Sequence, residues 1–313
     1  MLDQMHAIRV HEFGDPNALE YETAPRPEPA ADELLVRVHA AGVNSLDCLL
    51  RRGIINEPPL PWIPGYDLSG VVETVGADVT AFEAGDAVYG QVGGPPGLGN
   101  TYAEYAAVPA AGVVRVPEAL DHTEAAAVPM VALTAWQALF DKGELSEGDR
   151  VLFHGAAGGV GHIAVQLANW RGATVIGTGS AHSEDFLSDL GVDEFVNYRE
   201  ERFEDVVGDI DLVIDTQGGD TRERSFEVLS EGGTLVSLKG QPSEELIEEY
   251  GVYGRSVFAQ PDAATLTKIT DLLEAGTLDV TVSSVRPLAE AKDAHEQVED
   301  GHTRGKRVLR VAE

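Results

Sequence analysis

Cysteine and lysine are both scarce in this sequence, and each scarcity excludes a class of protein. Cys48 is the only cysteine among 313 residues, so neither an internal disulfide nor a cysteine-rich zinc site can form. Lys and Arg together number 22 against 53 Asp and Glu, which gives a formal net charge of −31. So acidic a chain lacks the clustered cations that neutralise nucleic-acid phosphates, and it argues against docking on anionic membranes. We therefore expect a small-molecule partner and neither nucleic acid nor membrane.

Long hydrophobic runs are also missing. The longest apolar stretch, Ala125 to Phe140, is interrupted by Pro129 and Gln137 and is shorter than the ~20 residues that span a bilayer. The N-terminus is too polar for the apolar core of a secretory signal. Hydrophobic residues still make up 43% of the chain and are spread along it, which indicates a folded core. We expect a soluble cytoplasmic protein.

The acid excess has two interpretations. It either keeps the protein soluble, or it adapts the surface to concentrated salt. We favour the second, because an acidic surface with few lysines resembles proteins of salt-accumulating cells. Self-repulsion at this charge needs screening, and at ~1 M salt the Debye length falls to about 3 Å. The few lysines are Lys142, Lys239, Lys268, Lys292 and Lys306.

Residues 1–125 are predicted to form a β-rich domain. Short apolar segments separated by Gly and Pro are typical of an all-β barrel-like unit. The predicted strands lie at 34–43, 70–79, 86–90, 102–110 and 113–117.

The pattern changes at about residue 126. A helix is predicted over 123–143, and strands then alternate with helices to about residue 260. Val-rich strands in such an alternation indicate a parallel sheet covered by helices. The predicted strands lie at 150–155, 173–179, 194–198, 211–217 and 233–240, and the predicted helices at 159–171, 183–190 and 221–230.

Residues 261–313 are predicted to return to the first domain. A helix over 263–275 comes first, and a strand followed by a helix comes next. The chain ends with a strand at 306–311, which we predict to complete the sheet of the β-rich domain.

The strongest local motif is the glycine-rich segment between the strand at 150–155 and the following helix. It is a variant of G-x-G-x-x-G with Ala in the first place. The second glycine lets the backbone approach a pyrophosphate, the third lets helix and strand pack closely, and the helix N-terminus attracts the phosphates. We predict dinucleotide binding, with a tight ligand-free turn as the alternative. The predicted contacts are Ala156, Gly158, Gly159, Val160 and Gly161.

The next strand indicates which nicotinamide cofactor is bound. NAD-preferring folds place an acid at its end, where the carboxylate holds the ribose 2′-hydroxyl. Here the strand ends in GTGS, with Ser180 and no acid at that position. Ser180 can hydrogen-bond a 2′-phosphate, and His182 and Tyr198 can add donors. We therefore predict NADPH in preference to NADH.

Several longer motifs occur in a consistent order, and together they carry a family resemblance. The chain resembles the zinc-free NADPH:quinone oxidoreductases, the zeta-crystallin-like branch of the medium-chain dehydrogenase/reductase superfamily. The resemblance covers essentially the whole chain. The motifs are AAGVNSLDCLLRRG (40–53), PWIPGYDLSGVVETVG (61–76), AAAVPMVALTAWQAL (125–139), HGAAGGVG (154–161), GTGSAHSEDFLSDLGVDEFVNYRE (177–200), DLVIDTQGG (211–219) and the terminal GKRVLRV (305–311).

The resemblance implies an α/β fold with two domains. One is a GroES-like β-barrel catalytic domain, and the other is a doubly wound parallel-sheet Rossmann domain. The catalytic domain would comprise residues 1–125 and 261–313, and the NADP-binding domain residues 126–260. A homodimer is common in the family and is expected here.

The same resemblance implies that zinc is absent. Zinc-dependent relatives carry Cys and His ligands where this chain has Asn44, Ser45 and Asp47, and Tyr66 stands in the position of their histidine. Without thiolate and imidazole ligands a tetrahedral zinc site has no basis. Alcohol dehydrogenation, which those relatives perform with zinc, is therefore not expected.

The resemblance also implies further site residues. Asn44 would lie beside the nicotinamide and the substrate, and Thr134 would support the cofactor at the domain junction. Close relatives often have lysine where this chain has His182, which weakens the predicted 2′-phosphate site. The remaining implied cofactor contacts are Leu238, Gly240, Phe258 and Lys306, or Arg307 in place of Lys306.

Tyr66 has two interpretations. Its hydroxyl either donates to the oxyanion of the reduced acceptor, or its ring only packs the wall of the cleft. Asp67 is expected to anchor its loop by accepting backbone hydrogen bonds, and His154 is expected to be structural.

The predicted activity is hydride transfer from NADPH to a quinone or a similar conjugated carbonyl, whose conjugation spreads the incoming charge. One alternative is reduction of an enone, an alkenal or an enoyl thioester on the same fold. Another, from a different class, is a low-turnover NADPH-binding sensor or structural protein.

Overall fold

The structure, a computed structural model, describes residues 4–55, 57–93, 99–301 and 303–312. The chain divides into two compact units. The first unit contains Met1–Met130, Gln260–Gly276 and Val280–Glu313. The second unit contains Val131–Ala259 and Thr277–Asp279. The chain therefore leaves the first unit, builds the second and returns.

The strands are numbered in chain order. Those before residue 130 are β1 (Gln4–Val10), β2 (Leu19–Pro25), β3 (Glu33–Val43), β4 (Asp67–Val75), β5 (Ala87–Gln91), β6 (Tyr105–Pro109) and β7 (Val113–Arg115). Those of the second unit are β8 (Arg150–His154), β9 (Thr174–Gly179), β10 (Glu194–Asn197), β11 (Ile210–Asp215), β12 (Leu229–Ser237) and β13 (Tyr253–Ser256). The last two are β14 (Val282–Pro287) and β15 (Lys306–Arg310).

The described α-helices range from 4 to 13 residues in length. They are α1 (Ser45–Arg51), α2 (His122–Ala126), α3 (Pro129–Trp136), α4 (Gly159–Arg171), α5 (Glu184–Asp189), α6 (Phe203–Val206), α7 (Gly219–Arg224), α8 (Glu244–Tyr250), α9 (Ala263–Glu274) and α10 (Ala291–Glu299). No helix among the residues that the structure describes has both the length and the apolar character needed to span a bilayer.

The main sheet of the first unit is organised around β3. Its strand order is β14-β15-β3-β4-β5-β7, with β6 also paired to β3, while β1 and β2 form a separate antiparallel pair. The side chains of Leu34, Val36 and Val38 on β3 enter one apolar core with Leu68 and Val72 of β4. The terminal strand β15 pairs antiparallel with β3, which confirms the prediction that the chain end completes this sheet.

The sheet of the second unit is parallel throughout, in the order β10-β9-β8-β11-β12-β13. This is the strand order of a doubly wound dinucleotide-binding fold. The central strands are apolar on both faces, since Val151, Leu152, Val213 and Ile214 are all fully buried. The predicted parallel sheet covered by helices is confirmed.

The helix predicted over 123–143 is wrong as a single element. Asp121 caps α2 by accepting a hydrogen bond from the Glu124 backbone N–H at 2.8 Å, and the Glu124 carboxylate accepts one from the Asp121 backbone N–H at 3.0 Å. Pro129 then opens α3 as its first residue, a position that needs no backbone N–H. A π-helical turn, Gln137–Lys142, follows.

Candidate active site and cofactor loop

Three strands of the first unit bring a set of polar side chains together in its interior. Asn44 follows the end of β3, Asp67 opens β4, and Lys306 opens β15. Because β4 and β15 flank β3, the three residues meet at one end of the sheet. All three are buried, with only 6% of Asn44, 3% of Lys306 and none of Asp67 exposed. Burying charged groups demands partners, so their hydrogen bonds define the site.

The Asn44 amide is held from both sides. Lys306 Nζ donates to Asn44 Oδ1 at 2.6 Å and to the Val43 carbonyl oxygen at 2.9 Å, and it lies 3.6 Å from Asp67 Oδ2. Asn44 Nδ2 donates to Asp67 Oδ2 at 2.9 Å. Asp67 Oδ1 accepts from the Met130 backbone N–H at 2.9 Å, which confirms its expected anchoring role.

These contacts fit a charged pair. An ammonium group has three donors, and three oxygen atoms surround Nζ of Lys306. The carboxylate of Asp67 takes only donors, as an ionised group requires. Burial raises the pKa of Asp67 and lowers that of Lys306, and the charge of each partner opposes the shift of the other. The pair is stable only as a pair, since a single buried charge would be left uncompensated.

Gly42 makes room for this arrangement. It lies opposite Asp67 in the β3–β4 ladder. A Cβ atom at this position would lie 2.5 Å from the Ala126 carbonyl oxygen and 2.9 Å from Asp67 Oδ2. Any side chain larger than hydrogen would therefore displace the Asp67 carboxylate.

Asp47 on α1 supports Asn44 from behind. Its Oδ2 accepts from the Asn44 backbone N–H at 2.8 Å and from the Tyr102 hydroxyl at 3.3 Å, and its Oδ1 accepts from the Gly65 backbone at 3.2 Å. Burial raises the pKa of Asp47 to about 7. This carboxyl group fixes the backbone of the site residue.

A chain of buried polar contacts extends from Asp47, away from Asn44, through Tyr102 and His295 to Cys48. The Tyr102 hydroxyl lies 3.4 Å from His295 Nε2, and His295 Nδ1 lies 3.5 Å from Cys48 Sγ. Burial lowers the pKa of His295 to about 3 and raises that of the Cys48 thiol. A buried protonated thiol is a poor nucleophile, so Cys48 is not a candidate for covalent catalysis.

Tyr66 is placed differently from Asn44. Only 2% of the residue is exposed, and its ring belongs to an apolar cluster with Val10, Leu50, Trp62 and Met130. This environment favours the packing interpretation of Tyr66.

The glycine-rich segment of the second unit has the predicted strand–turn–helix context. It lies between β8 and α4, and Gly158 caps the helix in an extended conformation. A Cβ at Gly161 would lie 2.5 Å from the carbonyl oxygens of both Gly155 and Ala156, so only glycine allows this approach of helix and turn. The methyl group of Ala156 is buried facing Gly177 of β9, where a Cβ would approach it to 3.2 Å. The glycine at 177 explains why alanine fits the first motif position.

The loop after β11 packs beside this turn. Thr216 Oγ1 donates to the His154 carbonyl oxygen at 2.8 Å. Asp215 Oδ1 accepts from the Gln217 and Gly218 backbones, both at 2.8 Å. In the sheet order, β8 and β11 are the neighbours at which the topology reverses, the place where such folds bind ligands.

The carboxyl ends of β9 and β10 carry the residues predicted to select the cofactor. Ser180 follows β9 and is half-buried, His182 is exposed, and Tyr198 is 50% exposed. The Tyr198 backbone N–H donates to the Gly179 carbonyl oxygen at 3.1 Å, which joins the two strand ends. Arg199, which the sequence analysis missed, places its guanidinium 5.8 Å from the centre of the Tyr198 ring.

The remaining predicted contacts are distributed over the second unit. Leu238 and Gly240 follow β12, and Phe258 follows β13 with 55% of its surface exposed, so all three lie at carboxyl ends of the parallel sheet. Thr134 is buried within α3. The predicted roles of these residues stay predictions.

The sequence did not indicate that Asp47 and Asp67 hold Asn44. Asp47 stands three residues after Asn44, and Asp67 follows Tyr66 directly. Lys306 was expected to approach the cofactor, whereas the structure shows its Nζ bound to Asn44 and Val43. The signal that could have found them is a charged residue inside an otherwise apolar segment, in helix α1 for Asp47 and in strands β4 and β15 for Asp67 and Lys306.

Two family models match the chain. Residues 30–118 match the alcohol dehydrogenase GroES-like domain, and residues 190–309 match the zinc-binding dehydrogenase model. Together with the parallel sheet, the first match confirms the predicted fold class.

Individual relatives match along nearly the full length. A quinone oxidoreductase of Pongo abelii is 33% identical over 97% of this chain and 97% of its own length. The solved quinone oxidoreductase of Coxiella burnetii is 36% identical and has a TM-score of 0.93, covering 99% of this chain and 100% of that one. The Escherichia coli quinone oxidoreductase, solved in complex with NADPH, is 29% identical with a TM-score of 0.89, covering 98% of this chain and 100% of that one.

These matches extend through both units and include the strands that carry Asn44, Asp67 and Lys306. The chain is therefore an NAD(P)H-dependent oxidoreductase that belongs to the quinone oxidoreductase branch of the medium-chain dehydrogenase/reductase superfamily.

Proposed function

We propose that this protein reduces a quinone or a similar conjugated carbonyl with NADPH and without a metal ion. The observation that carries the proposal is the buried Lys306–Asn44–Asp67 arrangement, in which the chain's own ammonium group occupies the place of a cation. The acceptor gains a hydride and a proton, and the nicotinamide is oxidised.

The residues of the second unit fit a dinucleotide. The turn at Gly158 and Gly161 leaves the start of α4 open for phosphates, and a side chain at Gly161 would close it. Bound NADPH supplies the hydride. The chain binds and orients it through the glycine turn, Ser180 and Tyr198, and Asn44 offers an amide to the acceptor. The protein then contributes mainly by positioning the cofactor and the acceptor and by excluding water from them.

The residues present do not fit catalytic zinc, although one family model is that of a zinc-binding dehydrogenase. The only thiol, Cys48, is buried against His295. The carboxylate of Asp67 and the amide oxygen of Asn44 are both turned toward Lys306. Zinc prefers thiolate, imidazole or free carboxylate ligands in a tetrahedral set, and an ammonium group at the centre repels it. Activity should survive exhaustive chelation, and a loss restored by added zinc would overturn this part of the proposal.

We propose NADPH as the physiological cofactor. No acid stands at the end of β9, and Ser180, Tyr198 and Arg199 can meet a 2′-phosphate with two hydroxyl groups and one guanidinium. Arg199→Met should raise KM for NADPH and leave KM for NADH unchanged. Arg202→Met, at an exposed arginine of the same unit, serves as the control. Equal KM values for the two cofactors in the parent protein would contradict the proposal.

The direct test of activity uses several small quinones. Protein is mixed with NADPH and each quinone, and the loss of reduced-nicotinamide absorbance is followed. Asn44→Ala should slow the reaction while NADPH still binds. Tight NADPH binding with no turnover of any quinone or enone would favour a sensor or structural protein.

We also propose a homodimer that forms through β13. This strand lies at the edge of the parallel sheet and pairs only with β12 among the described strands. Tyr253 on it is 59% exposed, and an uncovered edge strand is a template for pairing. Light scattering should give twice the chain mass, and Ser256→Pro, which removes a backbone donor that points away from β12, should give the monomer.

A further inference from the structure

The Asn44 amide has one hydrogen left over. Its oxygen accepts from Lys306, and one Nδ2 hydrogen is donated to Asp67 Oδ2. In the part of the chain that the structure describes, the second Nδ2 hydrogen has no acceptor. Asn44 keeps 6% of its surface exposed, against 3% for Lys306 and none for Asp67. Asn44 is therefore the most exposed residue of this cluster, and the unused hydrogen is the donor that it has left for a ligand.

We propose that Lys306 and Asp67 are positioning residues that fix and polarise the Asn44 amide, so that its free N–H donates to the acceptor oxygen on which negative charge develops. This inference rests on the proposed function, which places the acceptor beside Asn44.

The orientation follows from the two charges. Lys306 can only donate and Asp67 in its ionised form can only accept, so rotating the amide by half a turn would set Nδ2 against the ammonium and Oδ1 against the carboxylate. Both hydrogen bonds would be lost inside the protein, where unpaired polar groups are costly. One amide orientation is thus enforced.

The polarisation follows from the same contacts. A cation on the amide oxygen withdraws electron density from the nitrogen, and hydrogen bonds in such a chain strengthen one another. The Nδ2–H becomes a stronger donor than the amide of a solvent-exposed asparagine. Donors aimed at developing charge in a water-poor site act mainly on the transition state.

The reaction needs no reactant beyond NADPH, the acceptor and a proton from solvent. The acceptor gains the hydride, and its π electrons move onto the carbonyl oxygen beside the Asn44 N–H. That oxygen then takes a proton from solvent, and the oxidised nicotinamide leaves. Asn44 loses no proton at any stage.

The kinetic test uses acceptors that differ in the basicity of the oxygen atom formed on reduction. Lys306→Met removes the charge and keeps the length of the side chain, and Lys268→Met, at an exposed position on α9, is the matched control. With an enone, whose reduced oxygen is strongly basic, Lys306→Met should lower kcat by about 10- to 100-fold, less than the roughly 100- to 1000-fold loss seen when an oxyanion donor is itself removed, because the Asn44 N–H remains. With an electron-poor quinone the loss should be below about tenfold. A uniform loss over all acceptors would overturn the inference.

A second variant covers the risk that Lys306→Met leaves Asp67 as an unpaired buried charge and unfolds the protein. The double variant Lys306→Met with Asp67→Asn removes both charges together. Under our inference it folds and remains slow with the enone, because nothing polarises the amide. If the double variant has the same kcat with the enone as the parent, the two charges only neutralise each other and do not act on Asn44.

A readout without turnover separates this inference from the proposed function. Selective ¹⁵N-asparagine labelling gives few side-chain signals, and Asn44→Gln assigns the relevant pair. One Nδ2 proton of Asn44 should exchange with solvent much more slowly than the other, and Lys306→Met should abolish that difference. If the parent reduces no acceptor, the proposed function fails while this asymmetry still reports the positioning. An asymmetry retained in Lys306→Met overturns the positioning itself. The sequence has asparagine only at Asn17, Asn44, Asn56, Asn100, Asn169 and Asn197.

Discussion

Acid should destabilise the second unit through His154. This residue ends β8, and its imidazole is 1% exposed. Ser225 Oγ donates to the Thr221 carbonyl oxygen at 2.6 Å, so it accepts from His154 Nε2 at 2.9 Å. Nδ1 of the neutral ring is then left to accept from the Thr178 hydroxyl, which lies 3.2 Å from it and 3.4 Å from the Phe153 carbonyl oxygen. The network assigns a neutral imidazole protonated at Nε2. A second proton would break the Thr178 contact and place a charge in the core.

The magnitude follows from the pKa values of the two states. Burial lowers the pKa of His154 to about 4 in the folded protein, with the carboxylates of Asp215 and Glu204 and the guanidinium of Arg224 as smaller influences. Its value in the unfolded chain is about 6.5. Between these values the unfolded state binds more protons, so stability is complete above about pH 6.5 and falls as pH approaches 4. At about 1.4 kcal/mol per unit, the loss between pH 7 and pH 4 is about 3 kcal/mol.

The assay is urea unfolding over this pH range at constant salt. Trp62→Phe in every variant leaves Trp136 and Trp170, both in the second unit, as the fluorescent reporters. His154→Gln should lose about 3 kcal/mol less than its parent over the range, since glutamine keeps hydrogen bonds and does not titrate. His182→Gln, at an exposed histidine of the same unit, should keep the parental dependence. Identical dependence in His154→Gln and its parent would refute the reasoning.

Three further outcomes are expected. Gly161→Val should abolish NADPH binding, measured by fluorescence titration, because its Cβ would meet two carbonyl oxygens at 2.5 Å; binding within twofold of the parent would contradict the role of the turn. Tyr66→Phe should lower kcat/KM by less than about tenfold, since the ring is packed in an apolar cluster, and a larger drop would assign its hydroxyl to catalysis. NADPH affinity should hold or improve as salt rises, because salt screens the −31 net charge against an anionic cofactor, and a steep loss would contradict the salt-adaptation interpretation.

The helices and strands with a strong hydrophobic periodicity were predictable from the sequence. The helix predicted over 159–171 agrees with α4 to the residue, because glycines mark both of its ends. The strands β1 and β2 were not predicted, since their mixed polar pattern is resolved only by pairing with each other. The break between α2 and α3 depends on a capping box at Asp121 and on Pro129, which the apolar spacing conceals.

The candidate site was predictable in part for a different reason. Asn44 and the glycine turn are local motifs with a local geometry. The contacts among Asn44, Asp67 and Lys306 join residues far apart in sequence, and only the strand order β15-β3-β4 brings them together. A lysine after a glycine near the chain end gives no local indication that it will be buried against a carboxylate.

The measurement that tests the central claim most directly is turnover by the chelator-treated protein. Metal content is brought below one-tenth of the protein concentration, and oxidation of NADPH is followed with a small quinone in the parent, in Asn44→Ala and in the control Lys268→Met. The account predicts full activity in the parent and the control and a strong loss in Asn44→Ala. Inactivity of the metal-free parent, or equal activity of Asn44→Ala and the parent, would contradict it.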